Sequence, residues 1–112
     1  MKPWVFQRGE TIAVPLAARG ASESQAQAME VTANLKRTRF MDRPDAAEPV
    51  AAIFSPMFSD DVDGSPGWVL TIDAATSEDL APGRYGVNAS ITFADGSVVK
   101  TVFLPVQIEA AT

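Results

Sequence analysis

From Tyr85 to Phe93 apolar side chains alternate with small or polar ones without a break. Tyr85, Val87, Ala89, Ile91 and Phe93 stand against Gly86, Asn88, Ser90 and Thr92. Side chains of a β-strand point alternately to its two faces, so this stretch predicts a strand with one buried face. Asp95-Gly96 follows, and that dipeptide suits the positive φ angles of a two-residue type I′ turn. A two-residue loop sets the register of the returning strand. Phe93 then faces Val98, Ala89 faces Val102, Val87 faces Leu104 and Tyr85 faces Val106, while Lys100 falls opposite Ile91. Pro105 falls opposite Gly86 and has no N–H to donate, so a bulge or a loss of pairing is expected there.

The approach to this strand is also specified. In Leu80-Ala81-Pro82-Gly83-Arg84-Tyr85, Pro82 fixes φ and Gly83 admits a left-handed turn. A tyrosine at the start of the penultimate strand of a Greek-key sandwich bonds back to the backbone just upstream. Tyr85 is placed to form such a corner, with Leu80, Pro82 and Gly83 shaping it.

Upstream, two short strands surround Arg8-Gly9, and Pro15 marks the second as an edge or a bulge. Residues 18–28 are small and polar and read as a loop. Met29, Val31, Ala33 and Leu35 form the core face of another strand. The run from Val50 to Phe58 is of strand length and broken at Pro56. Residues 59–67 read as a polar loop, and Trp68 to Asp73 as a strand. A short helical turn capped by Thr76 or Ser77 precedes the corner. About seven short strands with frequent turn signals predict an all-β fold: an immunoglobulin-like antiparallel sandwich, with residues 1–112 as one domain.

The chain has neither cysteine nor histidine. Ser-His-Asp and Cys-His nucleophile systems and the usual zinc ligand sets are therefore ruled out. No phosphate-binding or dinucleotide fingerprint is present. The formal net charge of -5 disfavours nonspecific nucleic-acid binding. No apolar run is long enough for a membrane span, and the start has no signal-peptide pattern. The expectation is a chain that is not an enzyme, with no catalytic residue, no cofactor and no metal site, and with no nucleic-acid or membrane partner. Asp60, Asp61 and Asp63 before Gly64 offer clustered oxygens of the type calcium takes. Their spacing fails the EF-hand rule, since Ser59 takes position one and Leu70 position twelve; a solvated turn is the simpler reading.

Two features point to partners. Lys36, Arg37, Arg39 and Arg43 form a basic cluster in an acidic chain, suited either to an acidic partner surface or to a solvated strand end. Phe40, Met41, Met57 and Phe58 flank loops, where aromatic and methionine side chains form either core or a protein interface. The residues singled out for partner binding are Lys36, Arg37, Arg39, Phe40, Arg43 and Phe58.

The opening Phe6-x-Arg8-Gly9-Glu10-Thr11, the strand Val31-Thr32-Ala33-Asn34-Leu35-Lys36 and the closing Leu80-x-Pro82-Gly83-x-Tyr85 with its Asp95-Gly96 turn resemble a family of tailed-bacteriophage virion structural domains of immunoglobulin-like type. It is similar to the N-terminal domains of upper baseplate proteins and to small neck and tail proteins. The chain departs from that pattern at residues 20–29 and in the final strand, which has Val102-Phe103-Leu104-Pro105-Val106 where the family has a glycine. The resemblance implies a noncatalytic protein made in the host cytoplasm and located in the virion. Its partners would be other neck, tail, baseplate or capsid proteins, with several copies or a homo-oligomer on the particle. A carbohydrate- or receptor-binding sandwich is the alternative. That alternative requires rings such as Phe40, Phe58 or Trp68 to stand exposed for stacking.

Overall fold

The alternating segments pair into two sheets that face each other across one apolar core. The computed structural model describes residues 3–38, 49–100 and 104–110. Its elements in chain order are β1 (Trp4–Gln7), β2 (Ile12–Ala17), α1 (Glu23–Gln27), β3 (Glu30–Arg37), β4 (Val50–Ile53), β5 (Ser55–Val62), β6 (Ser65–Ile72), α2 (Ala74–Glu78), β7 (Gly83–Thr92), β8 (Val98–Lys100) and β9 (Leu104–Glu109). The larger sheet runs β1-β9-β7-β3-β4, with β8 also on β7; the smaller runs β2-β6-β5. The second, sixth and fifth strands thus oppose a sheet built on the third, seventh and ninth. This is the immunoglobulin-like division of strands.

Period-two patterning decides which side chains enter the core. Ile12, Val14, Trp68, Leu70 and Ile72 from the smaller sheet meet Val31, Ala33, Leu35, Tyr85, Val87, Ala89, Val106 and Ile108 from the larger. Each aliphatic side chain buried in this layer stabilises the fold by about 1.5–3 kcal/mol.

The count of nine strands exceeds the expected seven because two expected strands are each split. The run from Val50 breaks at Phe54, not at Pro56. Phe54 is buried, and its N–H donates to Ala33 O at 2.9 Å, so the chain leaves the larger sheet there and enters the smaller one. Pro56 lies within β5 opposite Leu70, on an edge strand where no second partner asks for its N–H. The returning arm of the last hairpin splits into β8 and β9.

That hairpin corrects the expected turn. Phe93 N donates to Ser97 O and Gly96 N to Phe93 O, with Gly96 at φ 90°. The loop is therefore three residues long with a glycine bulge. Near the turn Thr92 faces Val98 and Ser90 faces Lys100, one residue away from the two-residue register that put Phe93 on Val98 and Lys100 on Ile91. Farther along, Val87 faces Leu104, Gly86 faces Pro105 and Tyr85 faces Val106, as the alternation requires. The registers of β7 with β8 and of β7 with β9 thus differ by one residue. The pairing of Ala89 with Val102 lies outside the described residues.

Four further expectations are corrected. Residues 18–28 hold α1, closed by a capping box in which Ser22 accepts from Gln25 N and the Gln25 side chain accepts from Ser22 N. Its one buried residue is Ala26. Residues 59–67 are largely strand, joined by Asp63-Gly64 with φ 54° and 84°, the two left-handed residues of a type I′ turn. The cap of α2 is Asp73, which accepts from Thr76 N at 2.8 Å; Thr76 and Ser77 lie inside the helix. Finally, β1 pairs with β9 in parallel, with Trp4 opposite Val106, which departs from an all-antiparallel sandwich. This pairing also makes β9 an interior strand.

Candidate partner-binding surface

The corner at the start of β7 is built as a self-contained unit. Tyr85 is buried, and its Oη donates to Ala81 O at 2.6 Å. Leu80 is buried beside it. Pro82 presents its carbonyl outward, and an Nη of Arg37 donates to it at 3.3 Å. The guanidinium of Arg37 stands 5.4 Å from the Tyr85 ring centroid, a cation–π distance. Gly83 makes room for that arginine: it sits at φ 151°, and a Cβ there would lie 2.6 Å from an Arg37 Nη. Burial raises the Tyr85 phenol above its ordinary value, and the charge of Arg37 works against that rise.

The basic cluster is thereby divided. Arg37, itself exposed, is held over the Tyr85 ring, whereas Lys36 points to the outer face of the larger sheet, where it pairs with Gly86 and Val50. Arg39, Phe40 and Arg43 lie outside the described residues, as does Met41. Phe58 sits on β5 in the other sheet, opposite Trp68 and 37% exposed. Lys36 and Phe58 are therefore on different sheets and do not form one site.

The opening Arg8-Gly9-Glu10 also acts within the fold. Arg8 Nε donates to Glu78 O at 2.6 Å, at the end of α2. Gly9 N donates at 2.9 Å to Oγ of Ser77, which is fully buried. A Glu10 carboxylate oxygen accepts from Gln7 N at 2.6 Å. The turn between β1 and β2 is clasped to α2, and α2 leads directly into the tyrosine corner. The pattern is visible in the sequence, but the partners of Arg8 and Gly9 on α2, Glu78 O and the buried Ser77 Oγ, are set by long-range packing.

In the acidic segment, Asp61 Oδ1 accepts from Gly64 N at 3.0 Å and Asp63 pairs with Arg19 at 3.1 Å. These carboxylates shape and flank the turn. Among the described residues no group of three or more acids is arranged to hold a metal ion.

What remains outward-facing and apolar lies mainly along strand edges. Trp4 and Val5 are exposed on β1, Val50 and Ile53 on β4, Met57 and Phe58 on β5, and Val98 and Val99 on β8. Ile53, at 72%, is the most exposed of these. It sits where the chain crosses between sheets and shares an open groove of about 400 Å³ with Met57, Thr71 and Thr76. At the opposite end of the sandwich, Ala21, Met29, Ile91 and Phe93 line an open pocket of about 700 Å³ beside Arg19 and Asp95. Both of those charges already have partners, Asp63 for Arg19 and Ser97 for Asp95. Trp68 is buried and offers no ring for stacking. No protein-family model and no curated protein sequence matches the chain.

Proposed function

We propose that the protein is a noncatalytic structural component of a tailed-phage virion that docks on neck, tail, baseplate or capsid proteins. The observation that carries this reading is the strip of exposed apolar residues along open strand edges, on β1 and β4 above all. Edge strands present unpaired backbone N–H and C=O groups, which another chain can satisfy by adding a strand. The resemblance of the opening and corner motifs to phage structural domains points the docking toward virion partners. Both motifs have internal roles here, the clasp on Ser77 and the Tyr85 corner, as expected of residues that define a scaffold rather than a reactive centre.

The alternative of sugar stacking is not supported by Trp68, which is in the core. The test is to purify particles from the source phage or an induced lysogen, detect the chain by mass spectrometry and locate it by immunolabelling in the electron microscope. Label at a fixed position on the particle is the expected result. Particles free of the protein would overturn the proposal.

A further inference from the structure

The two edges of the larger sheet match each other. β1 (Trp4-Val5-Phe6-Gln7) and β4 (Val50-Ala51-Ala52-Ile53) have the same length and carry neither a charge nor a proline. No described strand covers the outer side of either. They also run in opposite directions: β1 is parallel to β9, and β9, β7, β3 and β4 alternate. Two copies set side by side, with their faces aligned, would therefore bring β4 of one against β1 of the next in antiparallel pairing.

In the register that keeps the faces matched, outward Ile53 lies opposite outward Val5 of the second copy and core-facing Ala52 opposite core-facing Phe6. The free charges beside the Val50 end of β4 and the Gln7 end of β1 are of opposite sign, Arg8 after Gln7 being turned onto Glu78 O at the end of α2. Lys36 pairs with Val50 on β3 and points outward. Glu109 pairs with Gln7 on β9 and is exposed on the outer face, and Glu10 lies just beyond. The chain is net negative, so copies repel in general; this pairing instead brings the basic end of one edge to the acidic end of the other.

We infer that the chain associates with itself head to tail, β4 of one copy adding to β1 of the next. Such a contact is heterologous, leaves a free edge at each end, and so propagates into a ring or a row. The inference concerns the isolated chain and does not rest on the virion reading.

The test uses two substitutions on exposed, outward-facing positions, Val5→Lys on β1 and Ile53→Lys on β4. A lysine on an edge discourages strand addition without touching the core. Sedimentation or light scattering over a concentration series gives the mass, and thermal unfolding checks that each variant folds like the parent. The parent is expected to grow in mass with concentration, and each variant alone to stay monomeric. An equimolar mixture of the two should form pairs and nothing larger, since V5K retains its β4 edge and I53K its β1 edge. A parent that is monomeric at every concentration would overturn the inference. So would association that survives either single substitution, because that requires like edges to pair, or a mixture that stays monomeric.

Discussion

Each edge strand of the three-stranded sheet carries a proline, Pro15 on β2 and Pro56 on β5, and β5 adds Asp60 and Asp61. The corresponding strands of the larger sheet, β1 and β4, have no such guard. Proline and charge on an edge are common devices against unwanted strand pairing. Their uneven distribution indicates that one sheet is closed to neighbours and the other is left able to accept them. Within the closed sheet β2 and β6 also approach closely at Gly67, where a Cβ would run into Leu16 O. The open sheet instead invests its local bonding in the Tyr85 corner, at the end of the molecule where Lys36 and Arg37 lie.

The largest expected effect is on the closed sheet. Gly67→Ala forces β2 and β6 apart and should destabilise the fold by about 3 kcal/mol or more, the upper end of overpacking costs. Denaturant unfolding measures this directly, and a near-neutral result would mean that the two strands separate easily.

Next comes the corner in the open sheet. Tyr85→Phe removes the bond to Ala81 O and should cost about 1–3 kcal/mol, because it leaves a carbonyl without its donor in a partly buried site. Tyr85 is the sole tyrosine, so its ionisation can be followed by absorbance. Its folded value is raised by burial, so the folded state holds the proton longer than the unfolded one. The corresponding stability is present below the ordinary value of about 10 and is lost as pH rises through the raised value. Y85F should abolish this alkaline loss. If the parent and Y85F lose stability in parallel, the corner does not carry the effect.

A smaller effect belongs to the cap of α2. Hydrogen bonds from the Thr76 side chain and backbone hold the Asp73 carboxyl below its ordinary value. The stability from this cap is present above that ordinary value and is lost as pH falls through the lowered one. Asp73→Asn keeps a capping oxygen but does not titrate in this range. Its thermal midpoint should match the parent near neutral pH and fall less on acidification.

Much of the fold was legible because burial follows period two. The core faces of β3, β6 and β7 follow directly from alternation, whereas Tyr85 meets Val106 as expected only because a one-residue register difference offsets the longer turn. Features that depend on a partner outside the local segment were harder to read. Phe54 resembles any strand residue until Ala33 is known to accept its N–H. Asp95-Gly96 and Asp63-Gly64 are the same dipeptide, yet one belongs to a three-residue loop and the other to a two-residue turn, because flanking strand pairing decides the loop length. The signal for α1 was present in Ser22-x-x-Gln25, a capping-box pattern obscured by the lack of an apolar helical face. For the candidate surface, charge clustering drew attention to Lys36 and Arg37, but only the tertiary structure separates an outward lysine from an arginine held over a ring. Pro15 marks β2 as an edge from the sequence, but which strands of the larger sheet lie open on their outer sides follows only from strand order.

The central proposal is that this protein docks on other chains through the edges of the larger sheet. Amide hydrogen exchange on the protein in purified particles, compared with the dilute free chain, tests it most directly. The account predicts protection gained at residues 4–7 and 50–53, with 12–17 and 55–62 unchanged. Protection gained along β2 and β5 instead, with β1 and β4 still exchanging freely, would contradict it.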